Sequence, residues 1–363
     1  MILQESLSEE WIRSILSKKD YSRANPPVLE KMIYALALLE KLTENGLEFT
    51  FKGGTSLVLL FNNFRRFSTD IDIITTKSKV EIETHLSQIT KNSVFNAFEL
   101  DKERSNANDI PKAHYSVFFN SAFNKDTIAS VTLDILYEAN PYPQIIERQI
   151  LCNWLKTSEP YLNVKLPDID SILGDKLTAF APNTIGIPYY RSGNSMNTEI
   201  IKQLFDISNL IDNTANIKNI NDSFNNIVAN QIKYRNKTLS KSDIYDDIFH
   251  TSIIIAKREN NKEEPNKTYF RDLQNGINSF NQFLATGSFR IEDAIIASAK
   301  ATWITSILKT QKFDTFIKYN PALDLTDFNI TNLEYNFLNR FKRTNKEAFY
   351  YWYKTLELLN LIN

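Results

Sequence analysis

Two aspartates within an apolar strand pattern constrain the fold of this chain more than any other feature. Residues 68–73 read STDIDI, and alternate residues of a β-strand share a face, so Asp70 and Asp72 lie on one side and Ile71 and Ile73 on the other. The two Cα atoms would be about 6–7 Å apart, so both carboxylates could bind one divalent cation that relieves their repulsion. The alternative is an edge strand with one solvent-exposed face, although aspartate is depleted in strands.

A third aspartate occupies another apolar strand pattern. In residues 131–137 (VTLDILY), the alternate residues Val131, Leu133 and Ile135 share one face, whereas Asp134 lies on the other. A carboxylate in such a segment is costly unless it is paired or binds a metal ion. Asp134 is therefore a candidate third acid, and the open alternative is a surface aspartate near a strand end.

A glycine pair precedes the first two aspartates by about 15 residues. Gly53 and Gly54 lie between a predicted strand and a predicted helix, and Thr55 and Ser56 follow them. Glycine lets the backbone approach a ligand closely, and free N–H groups at a helix start favour phosphate. The alternative is an ordinary tight turn in which Thr55 or Ser56 caps the helix.

A lysine and a fourth aspartate lie further along the chain. Residues 169–180 have apolar side chains at helical spacing, and Lys176 falls on that apolar face, where it would pair with a phosphate or with Asp70. The alternative is a lysine at the edge of the stripe that extends to water. Asp206 follows Lys202 by four residues, which by itself predicts an exposed i, i+4 ion pair.

The residue patterns predict an α/β fold, a mixed sheet with flanking helices, followed by an α-helical C-terminal domain. The predicted domains are an N-terminal arm at 1–27, a core that includes the lysine helix at 28–214, and a helical domain at 215–363. The predicted early elements are helices at 28–43, 57–61 and 80–91 and strands at 47–51, 115–119, 128–137 and 161–166.

Composition limits the cofactors and partners. One cysteine and three histidines in no zinc-binding spacing leave oxygen ligands, and therefore Mg²⁺ or Mn²⁺. The net charge of -1 gives no global basic field, so nucleic acid would need a local patch. Residues 233–237 (KYRNK) are a candidate, with a solvated helix end as the alternative. No apolar run approaches the ~20 residues that span a bilayer, and the N-terminus does not read as a signal peptide, so we expect a cytoplasmic protein that binds no membrane.

Four segments together resemble a known family. FKGGTSL at 51–57 and RFSTDIDI at 66–73 are similar to the first motif of the AbiE-type (AbiEii/AbiGii) nucleotidyltransferase toxins, which resemble polymerase-β-like nucleotidyltransferases. GDKLTA at 174–179 resembles the family's lysine motif, and QLFDI at 203–207 resembles its Arg-Asp-Leu-x-Asp-Leu-type motif. Gln203 stands where that motif usually has a charged residue.

The resemblance implies a nucleotidyltransferase fold and a metal-dependent transfer of NMP from an NTP to a hydroxyl group. The acceptor would be RNA, such as the 3′ end of tRNA, or another hydroxyl compound. The protein would be the toxin of a toxin–antitoxin or abortive-infection system, with an antitoxin protein as partner. The implied roles are metal binding by Asp70, Asp72 and Asp134, nucleotide binding by Gly53, Gly54, Thr55, Ser56 and Ser68, charge neutralisation by Lys176, and proton acceptance by Asp134 or Asp206.

Two other functions stay open from the sequence. One is a non-catalytic module that binds a nucleotide or a partner protein. The other is a kinase-like phosphotransferase that uses the same metal site, which α- and γ-labelled ATP would distinguish from a nucleotidyltransferase.

Overall fold

The computed structural model describes residues 1–21, 24–61, 64–106, 110–123, 127–235 and 238–363. These residues form two compact units: the first comprises 1–168 and 282–288, and the second comprises 169–281 and 289–363. The predicted domain division stays a prediction. It differs from these units because the lysine helix packs against helices of the second unit.

The first unit contains a mixed five-stranded sheet among its described residues, with strand order β1-β2-β5-β4-β3. Strands β2 and β5 are parallel, whereas the other neighbouring pairs are antiparallel. The predicted mixed α/β class is confirmed. The strands are β1 (Thr50–Lys52), β2 (Asp70–Thr75), β3 (Phe95–Leu100), β4 (Lys112–Asn120) and β5 (Ile128–Tyr137), and a separate hairpin consists of β6 (Ile145–Gln149) and β7 (Asn163–Pro167).

One face of this sheet is buried under helices, and the other face is half-buried. The ring of Tyr34, on the second helix, stacks on Phe119 of β4 at 3.7 Å between centroids, and the hydroxyl of Tyr115 donates to Glu83 of the fourth helix at 3.1 Å. Burial therefore alternates along β4 and β5, which leaves every second side chain on the open face. The helices of this unit are α1 (Glu9–Leu16), α2 (Pro26–Glu44), α3 (Gly53–Leu60), α4 (Lys79–Asn92) and α5 (Lys102–Asn106).

Residues 282–288, which we call the strap, belong to the first unit although they are flanked on both sides by the second. The backbone N–H of Ala285 donates to the carbonyl oxygen of Arg65 at 2.7 Å, and the N–H of Phe67 donates to Phe283 at 2.8 Å. The strap is thus hydrogen-bonded like a short strand to the segment that leads into β2.

The second unit is helical, as predicted for the C-terminal part of the chain. Its central helix, α11, is buried along most of its length and packs against α7, α9 and α13. None of the described helices combines the length and apolar character needed to cross a bilayer. Asn236 and Lys237 of the candidate basic segment lie outside the described residues. The elements are α6 (Ile169–Ala179), β8 (Tyr190–Arg191), β9 (Asn194–Ser195), α7 (Asn197–Asn213), α8 (Ile217–Arg235), α9 (Lys241–Lys257), α10 (Asn266–Phe280), α11 (Ile291–Thr310), α12 (Phe341–Thr344) and α13 (Lys346–Leu358).

Candidate active site

The open face of the sheet brings the three predicted acids together. Strand register places Asp72 of β2 directly opposite Asp134 of β5, with Lys52 of β1 opposite Asp72 and His114 of β4 opposite Asp134. Asp70 lies two residues before Asp72 on the same half-buried face. Neighbouring strands are about 4.7–4.9 Å apart, so these side chains are close neighbours. We call Asp70, Asp72 and Asp134 the acid row.

The carboxylate of Asp134 is held by two basic side chains. Its Oδ1 accepts a hydrogen bond from Nδ1 of His114 at 2.6 Å, and its Oδ2 lies 3.5 Å from Nη2 of Arg104. Neither partner was predicted from the sequence. Strand alternation in β4 puts His114 on the open face, but its pairing with Asp134 depends on a register that the sequence alone does not reveal.

The donor chemistry of the acid row fits a hard divalent cation only in part. Within the described residues, no group of three or more His, Cys, Asp and Glu side chains is arranged to hold a metal ion. Mg²⁺, however, is commonly held by one or two carboxylates together with water and substrate phosphates. The side chains of Asp70 and Asp72 supply such a carboxylate pair. The role of Asp134 as a third ligand stays a prediction.

Helix α3 begins at the glycine pair, directly beside the acid row. Gly53 has φ +78°, a conformation that L side chains rarely adopt. A Cβ atom at Gly53 would also lie only 2.0 Å from Oδ2 of Asp72, so the carboxylate packs against bare backbone. At Gly54, a Cβ atom would lie 2.4 Å from Nη2 of Arg66 and 2.8 Å from Oγ of Ser68. Both glycines are therefore needed for close packing around the first turn of α3.

The alternative interpretation, in which Thr55 or Ser56 caps the helix, is wrong. The helix starts at Gly53, so both hydroxyls lie inside its first turn and are fully buried. The hydroxyl of Thr55 donates to the carbonyl oxygen of Asp70 at 2.5 Å, and that of Ser56 donates to the carbonyl oxygen of Gly53 at 2.8 Å. Thr55 consequently links α3 to the first residue of β2.

A buried arginine completes this corner of the first unit. Arg66 is 2% exposed, and its Nη1 donates to the carbonyl oxygen of Phe67 at 3.0 Å. Its guanidinium group lies beside Gly54 and Ser68, near the start of α3. Arg66 follows Arg65 in a segment with no regular apolar spacing, so its burial could not be predicted from the sequence.

The second unit contains a buried ion pair formed by two other predicted site residues. Nζ of Lys176 on α6 lies 2.9 Å from Oδ2 of Asp206 on α7 and donates to Oε1 of Gln203 at 2.9 Å. The Asp206 side chain has no exposed surface, so the prediction of an exposed pair with Lys202 is wrong. Asp206 faces α6, and Lys202 pairs with Glu199 instead, at 2.8 Å. A shared site of this pair and the acid row stays a prediction.

Comparisons with known proteins identify a family and two related structures. The family model described as "Nucleotidyl transferase AbiEii toxin, Type IV TA system" matches residues 37–286. A crystal structure of a candidate nucleotidyltransferase from H. pylori is 17% identical, covering 78% of this chain and 96% of that one, with a TM-score of 0.43. An antigenic nucleotidyltransferase-like protein from Paracoccidioides brasiliensis is 16% identical, covering 61% of this chain and 94% of that one, with a TM-score of 0.36. No curated protein matches the chain.

Proposed function

The chain belongs to the AbiEii family of nucleotidyltransferase toxins of type IV toxin–antitoxin systems, and from this premise we propose that it transfers a nucleoside monophosphate from an NTP to a hydroxyl group of RNA. The observation that carries the proposal is the contact between Asp72 and the first residue of α3. It puts two carboxylates on one face of β2 beside a helix start that is built from glycine.

The acid row and the start of α3 would share the binding of the triphosphate. Asp70 and Asp72 would hold Mg²⁺ or Mn²⁺, and such an ion, when bound, supplies positive charge that stabilises the phosphate oxygens. The first N–H groups of α3 and the hydroxyl of Ser68 would bind phosphate oxygens. The guanidinium group of Arg66 beside them adds a positive charge that is fixed by burial.

The reaction requires one proton acceptor. The acceptor oxygen forms a bond to the α-phosphorus, the bond from that phosphorus to pyrophosphate breaks, and the hydroxyl proton passes to a carboxylate. We assign this role to Asp134, because its neighbours His114 and Arg104 fix the orientation of its carboxylate. Asp134 would therefore act as a base rather than as a third metal ligand.

Lys176 and Asp206 are included in the reaction on the strength of the family resemblance. Their buried ion pair fixes the orientation of the lysine side chain, as the neutralisation of charge on a phosphate would require. The same family supports an antitoxin protein as partner, and we expect the reaction to occur in the cytoplasm, where NTPs and RNA are available.

The experiment is a transfer assay with the purified full chain, Mg²⁺ and total RNA, using each α-labelled NTP in turn. We expect label in RNA with the wild-type protein and a loss of more than about 100-fold in Asp70→Asn, which removes one of two paired ligands. Glu10→Gln on α1 is the control, because it neutralises an exposed acid of the same unit.

Parallel reactions with γ-labelled ATP test the kinase alternative. Transfer of γ-label without α-label would replace the proposal by a phosphotransferase. Binding of NTP without transfer of either label, in protein shown to be folded, would replace it by a non-catalytic nucleotide-binding module.

A further inference from the structure

A cavity of about 350 Å³ in the first unit lies apart from the acid row. Val58 lines it from the last turn of α3, whereas the glycine pair and Asp72 meet at the first turn. The eight residues of α3 span about 12 Å. The cavity therefore opens at the far end of the helix from the proposed phosphate site.

Aromatic rings form much of the cavity wall. They come from Tyr21, Phe61, Phe64 and Trp154. Phe61 and Phe64 stack on each other at 5.6 Å between centroids, and Trp154 packs edge-on against Phe67 at 5.3 Å. Phe64 and Trp154 are buried, so these ring positions are fixed by packing before any ligand arrives. Walls of this kind bind flat rings by stacking.

Among the described residues that line the cavity, one is acidic and one is basic. Asp20 contributes one carboxylate and Arg65 one guanidinium group, both on exposed residues, and Asn153 and Thr286 add neutral donors and acceptors. A triphosphate would need a net positive lining, and a lipid chain would need an apolar one. Hydrogen-bonding groups of both kinds between aromatic rings match the edge and faces of a heterocyclic base.

The volume of the cavity limits the size of the ligand that it can bind. Ligand sites are commonly about 300–1,000 Å³, and this cavity lies near the lower limit. It has room for a nucleoside or a single nucleotide, but not for a dinucleotide or a folded peptide segment.

We propose that this cavity binds a nucleobase. The base belongs either to a separate nucleoside unit, such as a nucleotide of the acceptor RNA, or to the reacting NTP itself. Binding of a nucleoside in this cavity does not require nucleotidyl transfer. Only the identity of the molecule that carries the base therefore rests on the proposed function. A bound base would contact α3, Arg65 and Thr286 of the strap at the same time. It would thereby connect segments that lead to the acid row.

The test is a calorimetric titration of the full chain with adenosine, guanosine, cytidine and uridine, which carry no phosphate. We expect saturable binding of at least one of them by wild-type protein. Tyr21→Ala should weaken it about tenfold, the effect of losing one base–aromatic stack, and Tyr21→Phe should restore it. Thr286→Phe, which fills the cavity, should abolish it. Tyr161→Ala, at a comparably exposed tyrosine of the same unit, is the control.

Competition identifies the source of the base. If nucleoside and Mg²⁺–NTP bind independently, the base comes from a separate nucleoside unit. If they compete, it comes from the reacting nucleotide. The proposal is overturned if no nucleoside binds to the wild-type protein at millimolar concentration. It is also overturned if Tyr21→Ala and Thr286→Phe, each with an unchanged Tm, both bind the nucleoside as tightly as wild type does. Because Asp70→Asn protein should bind nucleosides normally, failure of the transfer assay and failure of this proposal are distinguishable.

Discussion

Replacement of Gly53 by alanine tests the contact on which the proposed function depends. The methyl group would lie 2.0 Å from Oδ2 of Asp72, so this oxygen must move by about 1 Å to reach even a tight contact. A shift of that size at a catalytic group costs about 100-fold in rate. The positive φ of Gly53 adds backbone strain of about 1–2 kcal/mol to the folded state of the variant.

Gly46 provides a matched control for the backbone strain. Its φ is +77°, almost equal to the +78° of Gly53, but a Cβ atom there would meet nothing within 4 Å. Gly46→Ala should therefore lose about the same 1–2 kcal/mol in the free energy of unfolding and keep its transfer activity. The comparison separates strain from displacement of the carboxylate.

Two measurements on each variant decide the result: urea unfolding at 25 °C and initial rates of α-label incorporation into RNA. We expect a loss of stability in Gly53→Ala at least as large as in Gly46→Ala, because the clash with Asp72 adds to the strain, but a rate loss of about 100-fold in Gly53→Ala only. Equal rates in both variants would refute the reasoning, because the placement of Asp72 against α3 would then be irrelevant to catalysis.

Three further predictions concern buried groups. Lys176→Met should lower the free energy of unfolding by about 3–5 kcal/mol because it removes the cation that compensates the buried carboxylate of Asp206, whereas Lys176→Met/Asp206→Leu should recover most of it; a loss under about 1 kcal/mol in the single variant would contradict the buried pair. Burial raises the pKa of the Cys152 thiol to about 12, so iodoacetamide should alkylate the native chain about 50–100-fold more slowly than a free cysteine at pH 7.5, because the smaller thiolate fraction outweighs the higher nucleophilicity of a more basic thiolate. The rate in urea should be the ordinary one, and equally fast alkylation of the native chain would contradict the raised pKa. Burial also raises the pKa of the Asp247 carboxyl group, so its contribution to stability is present below the unfolded-state pKa and is lost as pH rises through the folded-state pKa. In urea unfolding at pH values from 7 down to 4, the wild type should therefore gain stability relative to Asp247→Asn. A difference between the two proteins that stays constant with pH would contradict this.

Local periodicity predicted correctly which face of its strand or helix each of four candidate residues occupies. The two-residue repeat of β2 and β5 put Asp70, Asp72 and Asp134 on the polar face, and the helical stripe put Lys176 on the apolar face of α6. These predictions succeeded because each depends on one element and its own repeat.

The remaining features depend on how distant segments pack. Spacing of four residues is the same for an exposed ion pair and for a helix position that faces another helix, so the burial of Asp206 could not be deduced without α6. The pairing of His114 with Asp134 depends on strand register. Nothing near Gly53 in the sequence shows that the helix begins there at a positive φ, with Asp72 against it.

The strap limits how this chain can be truncated or recombined without damage to its two units. Since residues 282–288 belong to the first unit, the chain passes between the units after 168, after 281 and after 288. Removal of the chain after residue 168 would strip the segment before β2 of its hydrogen-bonded neighbour. Recombination at a single point therefore cannot exchange one unit without damaging the other. The family match, which covers residues 37–286, accordingly includes parts of both units.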